Sequence, residues 1–159
     1  MNRLQKSLIL VAAIAVPAAA HSTFAPVPDS LCFASGATTY RIAHNASAPD
    51  FRIKIANASS RADLRMQLVD RAEIADFVLV DDFSGKEPVA CRSSTPIRTV
   101  TFDADTATPD VTVSLSADAA APDYKIYVHS MRYSQQDAAA LLAAIWKTTQ
   151  QREATGSIR

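Results

Sequence analysis

Two adjacent aspartates, Asp81 and Asp82, follow directly on the apolar run Phe77-Val78-Leu79-Val80. Hard divalent cations take oxygen ligands, and a strand that ends in paired carboxylates brings several of them together. Magnesium would need further oxygens converging on the pair. The nearest in sequence are Asp103 and Asp105, just after "TVTF". Asp81, Asp82 and Asp103 are therefore the candidate metal ligands. The plainer alternative, a strand running out into water through two acids, is preferred, and no cofactor is expected.

The hexapeptide "FVLVDD" resembles the strand and acid pair that open response-regulator receiver domains. The resemblance implies a magnesium held by Asp81 and Asp82, and it covers only these six residues. Receivers place the pair near the chain start, with a phospho-accepting aspartate and a lysine at later strand ends. Here the pair lies mid-chain, in a sequence that opens like an exported one.

Other chemistries find less support. The three glycines, Gly36, Gly85 and Gly156, are far apart, whereas phosphate loops and dinucleotide fingerprints need clustered glycines. His129 adjoins Ser130, but neighbours on a strand point to opposite faces, which opposes a nucleophile–base pair. No G-x-S-x-G elbow is present. His44 sits beside Asn45 in an expected turn, and His21 would stand at or near a processed N-terminus. The glutamates Glu73, Glu87 and Glu153 are too scattered to nominate an acid–base pair. "NAS" at 45–47 and at 57–59 reads as turn sequence in a chain of bacterial style. Tyr40, Tyr124, Tyr127, Tyr133 and Trp146 are the aromatic candidates for a binding face, and Tyr127 stands on the side of its strand opposite Tyr124, Ile126 and Val128.

The elements that would position these residues begin after a leader. Arg3 and Lys6 precede an apolar run, and Ala18-Ala19-Ala20 offers a small-x-small site, the pattern of a secretory signal peptide cleaved after Ala20. Residues 7–20 are short of the roughly 20 needed to span a bilayer, so membrane attachment is expected only if cleavage fails. Without Arg3 and Lys6, 14 basic residues face 16 acidic ones, a formal charge of −2. With no basic run, nucleic acid is not an expected partner. The two cysteines, Cys32 and Cys91, are expected to pair as a disulfide in an exported chain.

Residues 21–38 read as an extended lead-in pinned by Cys32, residues 39–150 as one domain, and 151–159 as a flexible tail. Period-two alternation marks strands at "TTYRIA", "FRIKIA", 64–69, 76–81, "IRTVTF", "VTVSLS" and "YKIYVH". The 64–69 segment also admits a helical reading, and one helical turn is expected in "DRAEIA". "APDF", "TPDV" and "APDY" share a proline at the strand start, and their unequal intervals read as common turn chemistry rather than a repeat. Ser134 and Asp137 form an N-terminal cap for a helix whose stripe is Ala138, Leu141, Leu142, Ile145 and Trp146.

A strand with one wet face is typical of antiparallel pairing. The expected fold is thus α+β, in a single domain. A twisted, largely antiparallel or mixed sheet of five or six strands carries a C-terminal amphipathic helix on one face. The expected function is a small exported, disulfide-stapled binding or envelope-associated module, periplasmic or secreted, taking a protein or small-molecule ligand. The alternatives are a divalent-cation enzyme using Asp81, Asp82 and Asp103, and a secreted inhibitor or partner-binding protein.

Overall fold

The computed structural model describes residues 31–56, 61–80 and 96–156. Alternation of apolar and polar residues produces eight strands: β1 Leu31–Ser35, β2 Thr38–Ile42, β3 Phe51–Ala56, β4 Leu64–Leu68, β5 Phe77–Val80, β6 Ile97–Asp103, β7 Val111–Ser116 and β8 Tyr124–His129. A single 3-10 turn over Ala72–Ile74 separates β4 from β5, and helix α1 spans Gln135–Gly156. The segment that admits both readings, 64–69, is a strand. β1 lies inside the stretch read as a lead-in, and α1 continues through the first six residues read as a tail.

All eight strands form one sheet in the order β1-β2-β6-β3-β7-β4-β8-β5. Only β1 and β2 pair antiparallel, as a hairpin about Gly36, whose φ of +57° falls in the left-handed region that glycine tolerates. The other six pairings are parallel. The expected sheet of five or six largely antiparallel strands is therefore wrong in number and direction. Period-two alternation reports that one face of a strand is buried, and it carries no information on the direction of the neighbour. Here the outward positions Arg52, Arg65 and Lys125 are exposed on parallel strands, a combination the antiparallel rule had set aside.

The strand order interleaves two halves of the chain. β2, β3, β4 and β5 occupy alternate places, and β6, β7 and β8 fill the gaps between them. Within β2 to β5, and again within β6 to β8, the chain advances by two strand positions, roughly 9.5 Å, at each step. A thirteen-residue period underlies this order. Asp50, Asp63 and Asp76 are thirteen residues apart, as are Asp110 and Asp123, and each immediately precedes a strand. The "PD" motifs at 49–50, 109–110 and 122–123 belong to this period, which corrects their reading as turn chemistry alone. Ala62 and Ala75 replace proline in the two remaining units, and the change of half hides the register.

The five aspartates make one repeated contact. Each donates its own N–H to a carbonyl on the adjacent strand and accepts that same residue's N–H on Oδ2. Across β6-β3-β7-β4-β8-β5 the pairs are Asp50 with Thr99, Asp110 with Arg52, Asp63 with Thr112, Asp123 with Arg65 and Asp76 with Lys125. The carboxylate bonds are all 2.7 Å and the backbone bonds all 2.8 Å. A charged acceptor makes each of these stronger than a neutral bond. The side chain thereby extends the parallel ladder by one rung at the entrance of β3, β4, β5, β7 and β8. β2 has no such aspartate; Thr39 N–H donates instead to the Pro96 carbonyl at 3.2 Å.

The inward face of the sheet carries Tyr40, Ile42, Phe51, Ile53, Ile55, Leu64, Met66, Val100, Val111, Val113, Leu115 and Ile126, all buried. Against it lies α1, which touches β2, β3, β4, β6, β7 and β8. Residues 137–144 of the helix are buried without a break. Eight residues make about two full turns, so this part of the helix is covered on every side. The expected helix resting one apolar stripe on a sheet is corrected accordingly. Ala139, Ala140, Ala143 and Ala144 stand outside or beside that stripe and are fully buried, because small side chains let a curled sheet close around the axis.

The helix begins as its sequence predicts. Ser134 N–H and Oγ both donate to Asp137 Oδ2 at 2.7 Å, and Asp137 N–H donates back to Ser134 Oγ at 3.1 Å. Further along, the buried Tyr40 hydroxyl donates to Thr148 Oγ1 at 3.0 Å, tying β2 to the helix.

Candidate functional site

Asp81, Asp82 and Cys91 lie outside the described residues, as does His21. Asp103 ends β6 with its side chain exposed, and its Oδ1 accepts the Asp105 N–H at 3.0 Å, closing a local turn. Among the described residues no group of three or more His, Cys, Asp or Glu side chains is placed to hold a metal ion.

The structure separates the remaining candidates. Ser130 Oγ accepts the N–H groups of Arg132 (3.1 Å) and Tyr133 (2.8 Å), so it shapes the turn before α1. His129 lies parallel to the Tyr127 ring, centroids 6.4 Å apart, on the outer face. Tyr40, Tyr124 and Trp146 belong to the core or pack against it, and Tyr133 packs tilted against Phe33, ring centroids 4.7 Å apart. His44 packs edge-on against Phe102, and its Nε2 lies 3.5 Å from Asp137 Oδ1. Asp137 thus stands between Ser134 and His44 and accepts from the serine. A nucleophile needs the histidine in that middle place, so this cluster is a helix cap and not a hydrolytic triad.

The side chains that converge on a ligand-sized space are different ones. A cleft of about 670 Å³ opens between the first residues of β2 and β6 and the last two turns of α1. It is lined by Thr38, Arg98, Thr148, Gln151, Arg152 and Thr155. The helix supplies its wall through i, i+4 spacing, which puts Thr148 with Arg152 and Gln151 with Thr155 on neighbouring lines. Arg98 faces the same way as Val100 and Phe102, towards the helix, because it shares their parity on β6.

Both arginines that line the cleft are held by a hydrogen bond. Arg98 Nη1 lies 3.1 Å from Asp50 Oδ1, while Asp50 Oδ2 accepts the Thr99 N–H. Arg152 Nη2 donates to Thr38 Oγ1 at 3.1 Å, and Thr38 is buried. Two of the helix hydroxyls are occupied: Thr148 Oγ1 donates to the Ala144 carbonyl at 2.8 Å, and Thr155 Oγ1 to that of Gln151 at 2.8 Å. The free donors in the cleft are therefore chiefly guanidinium N–H groups. Their arrangement suits binding of an electron-rich group.

Sequence reasoning did not nominate Arg98 or Arg152. One signal was present: in "IRTVTF" an arginine occupies the inward row with Val100 and Phe102, where a strand buried at that point would carry an apolar residue. Its partner Arg152, far away in sequence, could be found only by folding the helix down the axis of the sheet. Compared with known proteins, the chain matches no family model, no curated protein and no solved structure.

Proposed function

We propose that this chain is a small exported, disulfide-stapled binding or envelope-associated module whose ligand site is the cleft between β2, β6 and the end of α1. The observation that carries the reading is the cleft itself. Its volume falls within the range of small-molecule sites, roughly 300–1,000 Å³, and its polar groups sit on a strand pair and a helix rather than on loops. The aspartate ladder braces one wall of the site, since Asp50 ties the start of β6 to β3 beside Arg98. Export is supported by the basic head, apolar core and small-x-small site of the first 20 residues. The staple is supported by Cys32, which is buried and is not a free thiol.

Mass spectrometry of the protein recovered from the periplasm or medium of its expression host tests the export and the staple together. The expected species starts at His21 and is two hydrogens lighter than the reduced chain, consistent with a Cys32–Cys91 bridge. An intact leader or two free thiols refutes the corresponding part. Native mass spectrometry of the same material tests binding. A retained small molecule or partner, displaced when Thr155→Trp fills the cleft, is the expected result.

A further inference from the structure

We infer that the cleft recognises a small molecule through a carboxylate or phosphate group held by Arg98 and Arg152; this rests on reading the cleft as the chain's ligand site. The chain as a whole is electrically balanced, with 16 basic and 16 acidic residues, yet among the described residues the lining of this cleft holds two arginines and no acid. The two arginines come from opposite walls. In the β2–β6 register Arg98 stands opposite Tyr40, and Thr38, which receives Arg152, lies two residues back on β2, roughly 7 Å along the strand. Both side chains thereby line one space, Arg98 bonded on the β3 side of β6 and Arg152 on the β2 side.

Each arginine is oriented by a single bond from one terminal nitrogen, Nη1 of Arg98 and Nη2 of Arg152. A guanidinium has five N–H groups in a fixed fork, so the remaining donors of each can meet the paired oxygens of a carboxylate or phosphate. Such paired, charged oxygens match the fork of a guanidinium, whereas a neutral hydroxyl offers one uncharged oxygen. Among the described residues Asp50 is the acid bonded to either group, and it competes with the ligand for Arg98.

That competition gives the test its sign. Calorimetric titration of the mature chain at low ionic strength uses citrate and inorganic phosphate as probes. Saturable binding of at least one is expected, weakened roughly tenfold or more in Arg98→Gln and in Arg152→Gln. Asp50→Asn is expected to tighten it. The asparagine oxygen still accepts the Thr99 N–H, while the charge that neutralises Arg98 is gone. A merely structural role for the Arg98–Asp50 pair would make Asp50→Asn and Arg98→Gln act in the same direction. Circular dichroism confirms that each variant folds. Absence of heat with both anions, or heat that neither arginine variant changes, overturns the inference. In that case a bound neutral or cationic molecule displaced by Thr155→Trp leaves the cleft as a binding site and removes only the ligand class. If Thr155→Trp displaces nothing, the reading of the cleft falls as well.

Discussion

Asp110 and Arg52 exchange two hydrogen bonds across the boundary between β7 and β3. The Asp110 N–H reaches the Arg52 carbonyl at 2.8 Å, and the Arg52 N–H reaches Asp110 Oδ2 at 2.7 Å. Fifty-eight residues separate the two in sequence. The same exchange recurs at Asp50, Asp63, Asp76 and Asp123, so one residue type at one place in a thirteen-residue period orders most of a parallel sheet.

Removing one rung should be measurable and modest. Asp110→Ala leaves the Arg52 N–H without its charged acceptor, but the bond is exposed and water can take its place. The expected loss is about 1–2 kcal/mol, read as a lower urea midpoint at unchanged slope. Asp110→Asn retains one oxygen and should lose less than half of that. Equal losses for the two variants would show that the charge, and not the acceptor, stabilises the rung.

The helix cap should be costlier to disturb than a rung. Asp137 is buried and accepts both Ser134 donors, so Asp137→Ala is expected to cost about 2 kcal/mol, at the upper end for caps. His44→Ala should cost much less, because the imidazole is 55 % exposed and 3.5 Å from the carboxylate. A double-mutant cycle on thermal or urea unfolding would isolate the His44–Asp137 coupling, expected below about 1 kcal/mol. A larger coupling would make the pair a structural ion pair rather than a loose neighbour.

Enclosure of the helix predicts intolerance to bulk on every side. Ala138→Leu and Ala140→Leu, roughly 160° apart around the helix, should each destabilise by about 1–3 kcal/mol, since both positions are fully buried. Gln150→Leu, at an exposed position nearer the C-terminus, should change stability by no more than about 0.5 kcal/mol. A helix packed on one face only would accept leucine at one of the two alanines.

The hairpin turn offers a backbone test. Space around Gly36 is open, with nothing within 4 Å of an added Cβ, so any cost of Gly36→Ala comes from the φ of +57° alone. About 1 kcal/mol is expected, and Gly36→Asn should recover part of it. Thermal unfolding of the three proteins decides between strain and no effect.

Much of the local structure was readable from the chain by itself. Period-two alternation located β3, β4, β6, β7 and β8, because burial of one face imposes that period whatever the strand's neighbours. The Ser134–Asp137 cap was equally local, lying within one turn. The aspartate period was present in the sequence too, at Asp50, Asp63 and Asp76 and again at Asp110 and Asp123. It was hidden where alanine replaced proline and where the chain passed from one half to the other. What only the tertiary structure decided was partnership. Strand direction, the interleaving of the two halves and the wrapping of the sheet around α1 depend on hydrogen bonds between residues some fifty to sixty positions apart. Side-chain periodicity along a strand does not encode which strand lies beside it. The cleft belongs to the same category: Arg98 and Arg152 line one space only because β6 and the end of α1 meet there.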